Sequence, residues 1–151
     1  MFFVPTPPAA VRPAELAAQL RVAVWRAARR LRQVAGTELT PTLSAALRTV
    51  EAHGPITAGQ LAAHEHVTKA TMTRTIRELA ARGLITRLPD PLDGRVAWLQ
   101  ITPAGADLLR SLRRRSETYL TKQLRALSGE ERETLQRAAE ILERLVEGDG
   151  A

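Results

Sequence analysis

Apolar residues recur at three- and four-residue spacing over Leu16, Leu20, Ala23, Val24, Ala27, Leu31 and Val34. This period predicts a helix from Pro13 to about Val34, closed by Gly36. Its other face carries Arg21, Arg26, Arg29, Arg30 and Arg32. A second helix opens at Thr40-Pro41, a capping residue followed by proline at the first helical position. Leu43, Leu47 and Val50 form its apolar stripe, and His53-Gly54-Pro55 stops it. Ahead of both, residues 1–12 carry Pro5, Pro7 and Pro8 with little periodicity, so they read as a mobile N-terminal arm.

The next stretch is the most informative. Thr57 and Gln60 have the spacing of a capping box, and Ile56 and Leu61 that of a hydrophobic staple. A short helix is expected to run from there to about His64, followed by a tight turn at Glu65-His66-Val67. Thr68 caps a further helix, with Val67 and Met72 as a second staple and Met72, Ile76 and Leu79 as the apolar positions. Gly83 stands where a left-handed C-terminal cap is expected. Two short helices joined by about three residues have helix-turn-helix spacing.

Leu84–Leu88 and Val96–Ile101 then read as two strands around the turn-rich Pro89–Arg95 loop, with its Asp93-Gly94 pair. Such a hairpin is marginal alone and must lean on its neighbouring helices. Thr102-Pro103 repeats the cap-plus-proline signal and opens a long helix marked by Leu108, Leu109, Leu112, Tyr119, Leu120 and Leu124. Ser128 and Glu131 form another capping box, and the last helix carries Leu135, Ala138, Ile141, Leu142 and Leu145. Residues 148–151 read as a frayed tail. The expected fold class is mainly α with a small β-hairpin wing.

Composition narrows the function. The chain has 151 residues, which suits one domain or one compact unit with an appended helical element. Net charge is +6, and all basic residues but Lys69 and Lys122 are arginine. Arginine suits bidentate contacts to phosphate and base edges. Absent cysteine excludes disulfide scaffolds, thiol catalysis and cysteine-containing zinc sites. Aromatic content of 3% disfavours a single-strand binder built on base stacking. No apolar run approaches a membrane span, and Met1-Phe2-Phe3-Val4-Pro5 lacks the features of a secretory signal, so a cytoplasmic location without membrane contact is expected. There is no nucleophile–base pair, metal set or phosphate-binding glycine loop, so an enzyme is not expected and no cofactor is implied.

The order of elements, a winged helix-turn-helix flanked by terminal helices, resembles the MarR family of bacterial transcriptional regulators. The resemblance rests on Ile56–Ala62, Val67–Arg74, Leu79–Ile85, Asp90-Pro91-Leu92-Asp93-Gly94-Arg95 and Leu99–Gly105, and it covers about residues 13–147. It implies a homodimer whose N- and C-terminal helices interlock, with 13–36 and 103–147 as dimerisation helices and 37–102 as the winged helix-turn-helix DNA-binding domain. It also implies a repressor on a palindromic double-stranded operator, released when a small-molecule effector binds. The absence of cysteine sets this chain apart from the thiol-sensing branch of that family. The alternative reading is a winged-helix protein-interaction module without DNA function.

Under this resemblance the helix from Thr68 to Arg82 is the recognition helix, and residues near its N-terminus enter the major groove. Lys69, Ala70, Thr71, Thr73 and Arg74 lie there. The Arg74 fork fits guanine O6 and N7, while Ala70 and Thr71 could touch a thymine methyl. Arg77, one turn on, is expected at a phosphate. Arg95 is the wing-tip residue for the narrow minor groove, whose negative potential attracts arginine. By resemblance Asp93 braces the wing and orients Arg95, and Arg87 pairs or contacts the backbone. Thr57, Gln60 and Thr68 are helix caps first, and the amides they flank could also bind phosphate.

Other residues invite blander readings. His53, His64 and His66 lack a metal-ligand spacing and read as surface or turn histidines. Trp25, Trp98 and Tyr119 read as core or dimer packing, with a ligand cavity as the alternative. Arg113-Arg114-Arg115 is either a solvated face or part of the positive field around DNA. The segment from Glu130 onward is acidic, so +6 understates the charge on the recognition helix and wing.

Overall fold

The computed structural model describes residues 11–147. The expected tail at 148–151 lies outside the described residues, as does all of the expected arm except Val11 and Arg12. The elements are α1 (Pro13–Ala35), α2 (Pro41–His53), β1 (Ile56–Thr57), α3 (Ala58–His64), α4 (Lys69–Ala81), β2 (Ile85–Pro89), β3 (Ala97–Ile101), α5 (Pro103–Arg125) and α6 (Gly129–Glu147).

The caps form where their spacing placed them, because each satisfies amides that the first helical turn leaves without partners. Thr40 accepts from the Leu43 amide at 3.3 Å and Thr68 from the Thr71 amide at 3.2 Å. Thr57 accepts from the Gln60 amide at 3.3 Å, while Gln60 Oε1 accepts from the Thr57 amide at 2.9 Å, completing the capping box. Ser128 and Glu131 reciprocate in the same way at 3.1 and 2.8 Å. Gly83, at φ +69°, ends α4 in the left-handed conformation.

The expected two-stranded hairpin is a three-stranded antiparallel sheet, ordered β1-β3-β2. The added strand is Ile56–Thr57, which the sequence showed only as a staple and a cap. Ile56 pairs with Leu99 and Thr57 with Trp98, while Arg87 faces Leu99 on the other side. β1 thereby ties the wing to the helix that follows it. The two hairpin strands each begin one residue later than the sequence pattern suggested.

The core lies between α2, α3, α4, the sheet and the first half of α5. Leu47, Val50, Leu61, Met72, Leu79 and Leu99 are its most deeply buried large side chains. The terminal helices contribute little to it. α1 packs on α5, but Ala35 is its one buried residue, and Leu16, Val24 and Trp25 stay exposed. The apolar face of α6 is likewise open at Leu135, Ile141 and Leu145. Both apolar faces therefore lie outside the core.

Candidate nucleic-acid interface

α4 divides its residues cleanly. Met72, Thr75, Ile76 and Leu79 face inward, while Lys69, Ala70, Thr71, Thr73, Arg74 and Arg77 are exposed. The split follows from the helical period, since positions four and seven after Met72 share its face. The turn between α3 and α4 reverses the chain at His66, whose φ is +51°. Thr75, the buried polar residue of the inner face, donates its hydroxyl to the Thr71 carbonyl at 3.1 Å.

On the outer face the threonines are partly committed. Thr73 donates to the Lys69 carbonyl at 2.8 Å, and Thr68 donates to the Thr71 hydroxyl at 3.0 Å. The basic residues there are not committed. Among the described residues the ion pairs use Arg12, Arg82, Arg110, Arg113 and Arg115, and none uses Lys69, Arg74, Arg77, Arg87 or Arg95. Thr57 and Thr73 share one open cleft with Arg87 and Arg95 of the wing, and no carboxylate lines it. The structure therefore brings residues of α3, α4 and the wing around one cleft, whose charged lining is the two wing arginines.

The wing loop has its own hydrogen bonds. Asp93 Oδ1 accepts from the Arg95 amide at 2.9 Å, and the Asp93 carbonyl accepts from the Val96 amide at 2.9 Å. Asp93 thus braces Arg95 through its backbone, with no side-chain ion pair between them among the described residues. Asp90, absent from the expected site, is the more heavily used carboxylate. It accepts from the Leu92 and Asp93 amides and from Trp98 Nε1. The indole hydrogen bond, then those two amides, hold its carboxyl below the ordinary aspartate range. The Asp90-Pro91 start of a turn was the sequence signal for Asp90.

Other arginines prove structural. Arg82 pairs with Glu78 and donates to the Glu38 carbonyl at 2.7 Å, fastening the end of α4 to the loop before α2. Arg113 pairs with Glu51 at 3.1 Å. Arg115 holds Glu38 at 2.6 Å and the Ala35 carbonyl at 2.7 Å. Two of the three residues in the Arg113–Arg115 run are therefore interhelical ties rather than part of a free positive face.

The aromatic and histidine readings also resolve. Trp25 is exposed and lies under the Arg29 guanidinium, so it is not core. Half-buried Tyr119 sits beneath Arg30 in the α1–α5 seam, and Trp98 belongs to the wing. His53 and His64 stack with ring centroids 4.6 Å apart where α2 and α3 end, while His66 makes the turn.

A family model described as the MarR family matches residues 39–97. An uncharacterized HTH-type transcriptional regulator of Mycobacterium bovis is 36% identical over 135 residues, covering 89% of this chain and 94% of that protein. A crystal structure from Pseudomonas aeruginosa, described as a transcriptional regulator, is similar with a TM-score of 0.81. It is 29% identical and covers 93% of this chain and 98% of that one. A variant of S. aureus MepR bound to an oligodeoxyribonucleotide shares the fold with a TM-score of 0.68, at 21% identity over 86% of this chain and 97% of that one.

Proposed function

The chain belongs to the MarR family of transcriptional regulators, and on that premise we propose that it is a dimeric, sequence-specific repressor whose operator is a palindromic DNA duplex. The observation that carries this reading is that Lys69, Arg74 and Arg77 on the outer face of α4 and Arg87 and Arg95 on the wing are exposed and in no ion pair among the described residues. A duplex is a dense line of phosphates, and uncompensated arginines gain by displacing its counterions.

In this reading α4 lies in the major groove with Lys69, Ala70, Thr71, Thr73 and Arg74 toward the bases. Arg74 reads a guanine edge and Arg77 meets a phosphate. Arg95 enters the adjacent minor groove with Arg87 behind it, and Asp93 holds the loop. Thr57 and Thr68 keep the helix starts in place. That a MepR variant with the same fold is bound to an oligodeoxyribonucleotide supports DNA as the partner.

Dimerisation by 13–36 and 103–147 around the winged domain at 37–102 is supported by the open apolar faces of α1 and α6. Charge supports it too, since α1 is rich in arginine and α6 in glutamate. Release by a small-molecule effector is supported by a cleft between α1, α2 and α5. Leu31 and Leu120 contribute apolar wall, and Arg32 and Arg48 outnumber Glu117 there, which fits an anionic ligand with an apolar body. No helix among the described residues is long and apolar enough to cross a membrane. The site of action is the cytoplasm, where the regulated DNA lies.

The test is selection of bound duplexes from a random pool, followed by affinity measurement against salt. A palindromic consensus, with log K falling by about 0.9 per phosphate contact per unit of log salt, is expected. Failure to retain any duplex would leave the protein-interaction module as the surviving reading.

A further inference from the structure

The wing loop holds a hydrogen-bonded chain that ends on Arg95. Asp90 stands where β2 passes into the loop, and both of its carboxylate oxygens are in use. Oδ1 accepts from the amides of Leu92 at 2.8 Å and Asp93 at 3.0 Å. Oδ2 accepts from Trp98 Nε1 at 2.8 Å, across the mouth of the hairpin. The Asp90 amide donates to the Val96 carbonyl at 3.0 Å, closing the loop at its base. Asp93, fixed by Asp90, then accepts from the Arg95 amide at 2.9 Å.

Little else restrains this loop. Leu92 is 98% exposed, so no apolar contact anchors the tip, and a Cβ on Gly94 would meet nothing within 4 Å. Polar ties therefore decide the loop's shape. A loop ordered only on contact with DNA would lose backbone freedom at that moment, whereas one ordered beforehand does not. Trp98 serves this role because strand alternation turns it away from the core that its neighbour Leu99 enters.

We propose that the Asp90–Trp98 hydrogen bond is the clamp that sets the wing loop and thereby positions Arg95 for the minor groove. Asp90 and Trp98 are positioning residues that act through Arg95 and do not themselves touch DNA. The inference deepens the DNA-binding reading and rests on it.

The test is a double-mutant cycle on the full chain, using a duplex enriched from a random pool by the parent protein. Trp98→Phe keeps an aromatic side chain, a smaller one, and removes the N–H donor. It is expected to weaken binding about five- to twentyfold and to lower the salt slope by about one, as Arg95→Ala does. The double variant is expected to bind no more weakly than Arg95→Ala alone, because both changes remove one contact. Asp90→Asn, whose side-chain nitrogen can only donate and so faces a donor at Trp98 or at the Leu92 and Asp93 amides, is expected to weaken binding at least as much as Trp98→Phe. Amide exchange at Arg95 in the free protein is expected to speed up in Trp98→Phe.

Full additivity of the two losses, or an unchanged salt slope in Trp98→Phe, would overturn the clamp while leaving the DNA reading intact. An Arg95→Ala variant that binds as the parent does would overturn the positioning role together with the minor-groove reading. Arg95 amide exchange would then report whether the loop is clamped at all.

Discussion

Gly105 packs against the carbonyl oxygen of Leu84 so closely that a Cβ added to it would lie 2.2 Å from that oxygen. The contact joins the start of α5 to the start of β2. Thr102 completes the joint, donating its hydroxyl to the Gly83 carbonyl at 2.6 Å and accepting from the Gly105 amide at 3.1 Å. Because the clash is with backbone, no rotamer can relieve it. Gly105→Ala is expected to cost about 1–3 kcal/mol, as other overpacking changes do. Denaturant unfolding checks this, and an unchanged midpoint would show that the joint has slack.

Arg74→Ala and Arg95→Ala are expected to differ in kind. Loss of Arg74 should relax preference at one base pair per half-site, by about 1–3 kcal/mol. Loss of Arg95 should weaken binding to all duplexes and reduce the salt slope by about one. Arg82→Ala is the control, since Arg82 is tied to Glu78 and the Glu38 carbonyl. It should lower stability and leave the salt slope alone. If Arg74 and Arg95 variants bind like the parent, those site assignments are wrong.

Acid should loosen the wing only at low pH. Asp90 is held below its ordinary value of 3.8, first by the Trp98 indole and then by the Leu92 and Asp93 amides. A carboxyl with a lowered folded pKa contributes stability above its unfolded pKa and loses it as pH falls through the folded value. Glu38, lowered chiefly by its hydrogen bond from Arg115, behaves with the same sign from an ordinary value of 4.5. The indole N–H resonance of Trp98, followed by NMR, is expected to titrate with a midpoint below 3.8. A midpoint at or above that value would contradict the clamp geometry.

The open faces of α1 and α6 predict a dimer at micromolar concentration. Ile141→Glu or Leu145→Glu would place a carboxylate on the apolar face of α6, where both residues are exposed. Either change is expected to raise the dimer dissociation constant about tenfold or more, since burying an unpaired charge is unfavourable. Sedimentation velocity reads this directly. A parent protein that sediments as a monomer would remove the dimer from the proposed function.

Much of the candidate site's layout is legible in the sequence. The exposed positions of α4 follow from its period, and Asp93 and Arg95 stand out in the Asp90–Arg95 turn. What escaped was the sorting of identical residues into different roles. Arg82 and Arg115 look like Arg74 and Arg77 in sequence, yet their partners Glu38 and Ala35 are 44 to 80 residues away. Asp90 shows the same limit, because the Trp98 partner that explains it lies across the hairpin.

The sequence alone determined the helices, their caps and the turns, along with the excess of basic residues on α4 and the wing. These depend on contacts within a few residues, so spacing and residue type suffice. The tertiary structure decided three further things. Ile56–Thr57 became a strand because β3 supplied its hydrogen bonds, which two residues cannot supply themselves. The stripe on α1 stayed open because α5 covers only part of it and the core closes without the rest. The basic residues divided into ties and free charge according to which carboxylates and carbonyls the fold brought near. Such contacts join distant positions, and they exist only once the chain has folded.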